Sequence, residues 1–474
     1  MTIGRLGRML AMCAVLFAAF LVVSASAESR ARIVRLSEVQ GAVQIDRGAG
    51  DGFDKAFINL PVIEGSRLKT GKDGRAEVEF EDGSALRLAP GSEVDFTHLA
   101  LSDDGRKLST VQLVSGTIYA SLHPKNARGK EKETGDEFRL DFGLESVTVP
   151  ERAHFRVVLD SAGKATVAVF KGKLNATGPS GQFEVAEKHS ATIEAGNEAG
   201  NNDLAKNDLA KNDLAKKDQD KDTFVIAKNY DAQPSDAWDR QQTDYQDHYA
   251  STGSSNAPSS QYGNAISDLN YYGSFTTLNG YGNVWQPYFI GDNWSPFQDG
   301  GWAFYPGAGY MWVSGYPWGW APYRSGSWAF IPGFGWGWQP GNLNSYYAVP
   351  QVAKAPAGMK MPTAPVSGRQ TVMVGLGLVA NPAAGAPAHL TINPGSASFG
   401  VPRGSVNHLD RISKTMDRTS RPIMVATAPP ASAAAPATGF GQGSGAGPSP
   451  SPSPMSSTSM MGDHRSAAPA SRPH

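Results

Sequence analysis

Apolar residues fall at every second position through much of the first two hundred residues. Ile33-Val34-Arg35-Leu36 leads into Gly41-Ala42-Val43-Gln44-Ile45. Ala76-Glu77-Val78-Glu79-Phe80 runs through the turn Glu81-Asp82-Gly83-Ser84 into Ala85-Leu86-Arg87-Leu88. A period of two puts one face of each strand in a core and the other in water, and Asp-Gly supplies the positive φ of a tight hairpin. The pattern continues through Val111–Val114, Gly116–Tyr119, Val147–Val149, Phe155–Val158, Ala165–Phe170 and Gly172–Leu174. Strands at this spacing with glycine turns predict an all-β sandwich or β-roll over residues 31–196.

A second pattern occupies 269–349, where the chain repeats itself three times and places nine of its ten tryptophans. Residues Trp320–Trp338 superimpose on Trp294–Trp312 at a shift of 26, matching nearly every aromatic, proline and glycine. A weaker copy precedes them, with Phe275 for the first tryptophan of the hairpin, Gly280 and Gly282 for the turn, and Trp285 for the closing tryptophan. Trp328–Ile331 and Trp336–Trp338 flank Pro332-Gly333-Phe334-Gly335, which predicts a β-hairpin per repeat. Alternation puts Trp328 and Phe330 on one face and Ala329 and Ile331 on the other. A unit this short cannot bury its apolar face alone, so three of them are expected to stack into one domain.

Between and after these blocks the pattern lapses. Asn202–Lys206 recurs at 207–211 and 212–216, and leucine at every fifth position advances by about 140° around a helix, painting no apolar stripe. Residues 197–264 therefore read as a charged, solvated linker. Residues 350–426 read as a Pro/Ala-rich linker in which 371–375 and 390–405 form short strands that dock on the repeat domain. The tail 427–474, with Pro448–Pro454 alternating Pro and Ser, has nothing to bury and is expected to be disordered.

The N-terminus supplies the compartment. Arg5 and Arg8, an apolar run from Met9 to Val23 and Ser24-Ala25-Ser26-Ala27 make a signal peptide over 1–27, with the mature chain beginning at Glu28. A run of about 15 apolar residues is short for a span of ~20, so an uncleaved anchor is the lesser reading. Export to the periplasm or cell envelope, or secretion, follows. The single cysteine, Cys13, lies inside that segment, so the mature chain would have neither disulfides nor thiolate chemistry.

The strands of the first domain resemble the FecR-type periplasmic domain. The likeness is carried by Leu68-Lys69-Thr70-Gly71, by Ala76–Ser84 followed by Leu88-Ala89-Pro90-Gly91-Ser92-Glu93, by Val114-Ser115-Gly116, and by Val147–Val149, Phe155–Val157 and Val169–Lys173. Where that family commonly has Gly-Thr before the phenylalanine, this chain has Ala153-His154, so no role tied to that turn is carried over. The resemblance implies a periplasmic signalling component. The few residues before the apolar run are too short for a sigma-binding segment, so direct sigma-factor regulation is not expected. The repeat resembles Trp/Gly-rich β-repeats of bacterial envelope proteins, which implies architecture and no activity.

Chemistry narrows by exclusion. With 43 basic and 44 acidic residues there is no global field to draw nucleic acid or anionic membrane. The only charged residues from 269 to 349 are Asp292, Asp299 and Arg324, and nucleic-acid stacking platforms need cations beside the rings. Asp299 and Arg324 read as surface groups. The histidines are scattered, with His98, His123, His154 and His189 each alone. Gly83-Ser84 and Gly91-Ser92 lie outside any Gly-x-Ser-x-Gly elbow. No catalytic, cofactor-binding or metal-binding residues are assigned, and no cofactor is expected.

Three readings of the tryptophans stay open: a structural core, a face that stacks on glycan or peptidoglycan, or a docking face for an envelope protein. For the binding readings the candidate aromatic face is Trp294, Trp302, Trp320, Tyr323 and Trp328. The expected protein is an exported, non-catalytic binding or scaffolding module whose partner is an envelope protein or cell-wall glycan.

Overall fold

A computed structural model describes residues 32, 34–124, 135–179, 181–194, 223–252, 262–263, 265–341, 347–378, 388–416 and 421–427. The leader read at 1–27, the five-residue repeats and the tail beyond Thr427 lie outside the described residues.

The first domain is a sandwich of two sheets that share one long strand, Lys107–Leu122. In the first sheet the order is Pro61–Val62, Val34–Gln40, Arg75–Glu79, Ala85–Leu88, the second half of the shared strand, Ala153–Leu159, Ala165–Lys171, His189–Glu194 and Thr223–Lys228. In the second it is Asp54–Lys55, Val43–Asp46, Arg67–Thr70, Glu93–Leu101, the first half of the shared strand, Glu137–Phe142, Glu145–Thr148, Lys173–Gly178 and Gly181–Ala186. The shared strand passes between sheets at Gly116, where φ is +89°. A Cβ there would meet Gly91 O and Ser92 Cα at 2.6 Å, so only glycine permits the crossing. Period-two side chains such as Leu36, Val78, Leu86, Ile118 and Val157 meet Leu68, Val94, Val111 and Leu140 in a single core.

The repeat folds as three hairpins: Gly273–Leu278 with Gly282–Pro287, Gly300–Tyr305 with Gly309–Ser314, and Ser327–Ile331 with Gly335–Gln339. Phe275 faces Trp285 across the first, Trp302 faces Trp312 across the second, and Trp328 faces Trp338 across the third. The weak copy is thus structurally equivalent to the strong ones. Each turn closes with the same hydrogen bond, Tyr281 N to Leu278 O, Ala308 N to Tyr305 O and Phe334 N to Ile331 O. The third turn residue is a positive-φ glycine each time: Gly280, Gly307 and Gly333. Twelve residues before each closing tryptophan stands a glycine on which its indole rests: a Cβ on Gly273, Gly300 or Gly326 would come within 3 Å of Trp285, Trp312 or Trp338.

The hairpins do not stack in chain order. The first and third join edge to edge through Trp285 and Trp338, with Val352–Lys354 added in parallel. The second stands in a separate sheet with Val372–Val374. His389–Ile392, expected to dock on the repeats, pairs instead with Ile423–Ala426.

The segment 197–264 is only partly the linker that its composition suggests. Thr223–Lys228 extends the first sheet through six cross-strand pairs with His189–Glu194. A 16-residue helix, Asp236–Ser251, follows, hereafter the strap, and a shorter helix, Ala265–Tyr272, leads into the first hairpin. The strap escapes an apolar-periodicity search because three of its five buried residues, Asp239, Gln242 and Gln246, are polar.

Candidate functional site

Strand alternation predicts that Arg35, Ser37, Glu77, Glu79, Arg87, Tyr119, His154 and Arg156 point away from the sandwich core into water. They do leave the core, but not for water. The strap, the short helix and the loop carrying Arg403 cover this face, and Arg35, Arg87 and Arg156 are among the largest fully buried side chains described. The reason is chemical: the covering segments bring the opposite charges.

A continuous chain of ion pairs results. Glu79 Oε2 accepts from Arg35 Nη2 at 2.7 Å, and the same nitrogen donates to Asp268 Oδ2 at 2.7 Å. Asp268 Oδ1 accepts from Arg403 Nε at 2.9 Å, and Arg403 Nη1 donates to Glu77 Oε1 at 2.6 Å. Glu77 Oε2 accepts from Arg87 Nε at 2.7 Å, and Arg87 Nη1 donates to Asp239 Oδ1 at 2.7 Å. His154 Nε2 lies 2.7 Å from Asp239 Oδ2 and ends the chain. The Ala153-His154 departure noted in the sequence is therefore where the sandwich meets the strap.

Further contacts bind the hairpins to the sandwich. Asn59 Nδ2 donates to Ser314 O at 3.1 Å and Tyr316 O at 2.8 Å, and Tyr305 OH donates to Pro61 O at 2.9 Å. The Trp320 ring is flanked by two guanidinium groups, Arg35 from the sandwich at 5.9 Å and Arg324 from its own domain at 5.4 Å.

The five residues read as an exposed aromatic face, Trp294, Trp302, Trp320, Tyr323 and Trp328, are interior, none more than 5 % exposed. The hairpins turn their ring-bearing faces toward one another, so no stacking platform is presented. Trp318 sits among Trp285, Trp294, Tyr316, Tyr323 and Trp328 at centroid distances of 4.8–6.2 Å. Asp299 and Arg324, read as surface groups, are also buried, at 2 % exposure each. Asp299 accepts from Tyr316 OH at 2.9 Å and from Leu376 N at 2.8 Å, while Arg324 donates to the carbonyls of Trp312 and Tyr347. Both satisfy polar groups that the aromatic core would otherwise strand.

A depression of about 190 Å³ is lined by Ser274, Gln286, Tyr288, Phe289, Pro394, Met416 and their neighbours, without a carboxylate, imidazole or cation. Among the described residues no three His, Cys, Asp or Glu side chains are placed to hold a metal ion.

The comparisons with known proteins agree with this two-part architecture. The family model described as FecR protein matches residues 66–175. A second, described as a family of unknown function (DUF6600), matches residues 266–367. The chain carries a FecR domain and a DUF6600 domain. No curated protein matches it in sequence. Two crystal structures of a protein described as a "putative anti-sigma factor" from Parabacteroides distasonis ATCC 8503, at 1.65 and 2.50 Å resolution, align with 17 % identity and a TM-score of 0.25. The alignment covers 36 % of this chain and 63 % of that one, so less than two thirds of the relative's length is spanned.

The ion-pair chain thus joins the β sandwich, through Arg35 and, within the FecR match, Glu77, Glu79, Arg87 and His154, to Asp268 at the start of the DUF6600 match and to Arg403 beyond it. Two buried carboxylates on this face, Glu77 and Glu38, are moved in opposite directions from the ordinary value. Burial alone would raise Glu77, but the guanidinium groups of Arg403 and Arg87 and the Ser37 hydroxyl outweigh it and hold it at about 2. Glu38, beside it, has one carboxylate oxygen bonded to Gln40 and the other with no partner among the described residues. Burial therefore dominates, against the pull of Arg403, and pushes Glu38 up from 4.5 to about 7.

A raised carboxyl stabilises the folded state fully below its unfolded pKa and loses that contribution as pH rises through its folded value. Glu38 is accordingly expected to cost on the order of 3 kcal/mol above pH 7 relative to pH 4.5. Replacing it by Gln should raise the urea midpoint at pH 8 while changing little at pH 4.5. Equal midpoint shifts at the two pH values would contradict this assignment.

Proposed function

We propose that this protein is a non-catalytic signalling component of the cell envelope, related to FecR-type regulators, in which the FecR and DUF6600 domains act as one binding body. The observation that carries this reading is the FecR match over residues 66–175. Two features support it. The charged face of the FecR sheet is covered by segments of the chain itself, and the tryptophans pack into a core, which removes the main support for glycan stacking. Export rests on the N-terminal pattern of a charged start, an apolar run and Ala25-Ser26-Ala27. Among the described residues no helix is long and apolar enough to cross a membrane.

Deleting the gene and profiling transcripts, with the full-length chain restored as the control, tests the signalling role. The expected result is a defined set of genes whose expression shifts on deletion and returns on complementation. An unchanged transcript profile accompanied by an envelope-integrity defect would overturn signalling in favour of scaffolding.

A further inference from the structure

The strap meets the FecR sheet in an unusual way, through its acidic first turn. Asp236 Oδ1 accepts from Tyr119 OH at 2.8 Å and from Arg156 Nη1 at 2.6 Å. Asp239, three residues on and hence on the same helix face, is held between Arg87 and His154. Arg75 lies over the Trp238 ring at 5.3 Å. Two turns further, Gln246 accepts from Arg87 Nη2 at 2.8 Å and donates to Glu77 Oε2 at 3.0 Å. Arg75, Arg87, His154 and Arg156 thus form a basic cradle with Tyr119 that fits two carboxylates one helical turn apart with a tryptophan between them.

The same seat is incompletely paired. Glu38 Oε2, Arg75 Nε, Trp238 Nε1 and Gln242 Oε1 are buried and find no hydrogen-bond partner among the described residues. Ser235, at the N-cap, makes no side-chain capping bond. Ion pairs taken out of water gain little net stability even with good geometry, and unpaired polar atoms subtract from it. A helix held by charge recognition over an under-satisfied seat is selective for what it binds yet weakly held there.

We propose that this cradle is a docking site for an acidic helix end and that the strap is its exchangeable resident, opening from the sheet and withdrawing Tyr245 from the edge of the aromatic core while the sandwich and the tryptophan hairpins stay folded. The partner that would compete for the cradle is a helix carrying carboxylates at i and i+3 and an aromatic ring between them. This goes beyond the signalling assignment and does not depend on it.

Amide hydrogen exchange of the full chain, followed by mass spectrometry, tests it. In the wild type, amides within Asp236–Ser251 should exchange at least tenfold faster than those of Val34–Gln40 and Arg75–Glu79, because they open locally. The double substitution Asp236→Asn and Asp239→Asn should accelerate the strap at least another tenfold and leave those strands unchanged. Asp244→Asn, on the exposed side of the same helix, should do neither. If strap and strands exchange at one rate in the wild type, or the double variant accelerates both equally, the strap is an integral part of the fold and the proposal fails.

Discussion

Substituting Arg403 by Met should lower the stability of the folded chain by about 3 kcal/mol. Its guanidinium bridges Asp268, which belongs to the helix leading into the hairpins, and Glu77, which belongs to the FecR sheet, and it also donates to Ser37 O at 3.2 Å. Removing it leaves two buried carboxylates with one guanidinium partner each, Arg35 and Arg87. Those two arginines both lie on sandwich strands, so the loss falls on the seam between the sandwich and the hairpins. Urea unfolding at pH 7 should therefore show a lower first midpoint, and the single transition expected of the wild type should divide in two. Arg403→Lys keeps the charge but not the fork that reaches both carboxylates, so it should recover only part of the loss. A midpoint unchanged by Arg403→Met would mean that the seam is held by the rings and not by the charges.

The other large effect is expected at Trp318. Truncation to Ala removes a ring 1 % exposed at the centre of the aromatic cluster and strands Ala397 O, which accepts from Trp318 Nε1 at 2.7 Å. Large-to-small changes of this kind cost about 3–5 kcal/mol, because the surrounding rings cannot collapse into the gap. Trp318→Phe should cost less, with about 1 kcal/mol of its loss assignable to the missing hydrogen bond. Both are measured by denaturant unfolding with near-ultraviolet circular dichroism as the readout of ring packing. A loss under ~1 kcal/mol for Trp318→Ala would contradict the core assignment.

Much of the fold was legible because alternation and turn glycines are local signals. Leu36, Val78, Leu86 and Val157 lie in the core that their spacing predicts, and the hairpin equivalence survives even in the weak first copy, where Phe275 replaces tryptophan. Ala329 and Ile331 pack on the opposite side from Trp328, in a small separate cluster with Val284. What escaped sequence reasoning is long-range. A polar strand face looks the same whether water or a complementary helix lies over it, so Arg35, Glu77 and Arg87 gave no sign of their burial. The strap is invisible to apolar periodicity for the converse reason: it docks through carboxylates and amides. Asp299 and Arg324 were misplaced on the surface because isolated charges in an apolar block usually sit there. Their partners, a tyrosine hydroxyl and backbone groups, are supplied by elements that sequence proximity does not reveal. Trp318 falls outside the repeat landmarks, and only the convergence of the hairpins makes it central.

The charge chain across the seam also bears on how such a protein is inherited. Arg403 and Asp268 find their complements in Glu77 and Arg35, more than two hundred positions away along the chain. A recombination event that attached this C-terminal half to another FecR sequence would carry half of a lock to a foreign key. Unless the incoming sheet offered the same charges at the same registers, the hybrid would bury unmatched ions and be lost to misfolding before selection could act on its activity. The two halves are matched by separate family models, yet they share these buried charges, so substitutions at these registers are expected to arise as compensating pairs.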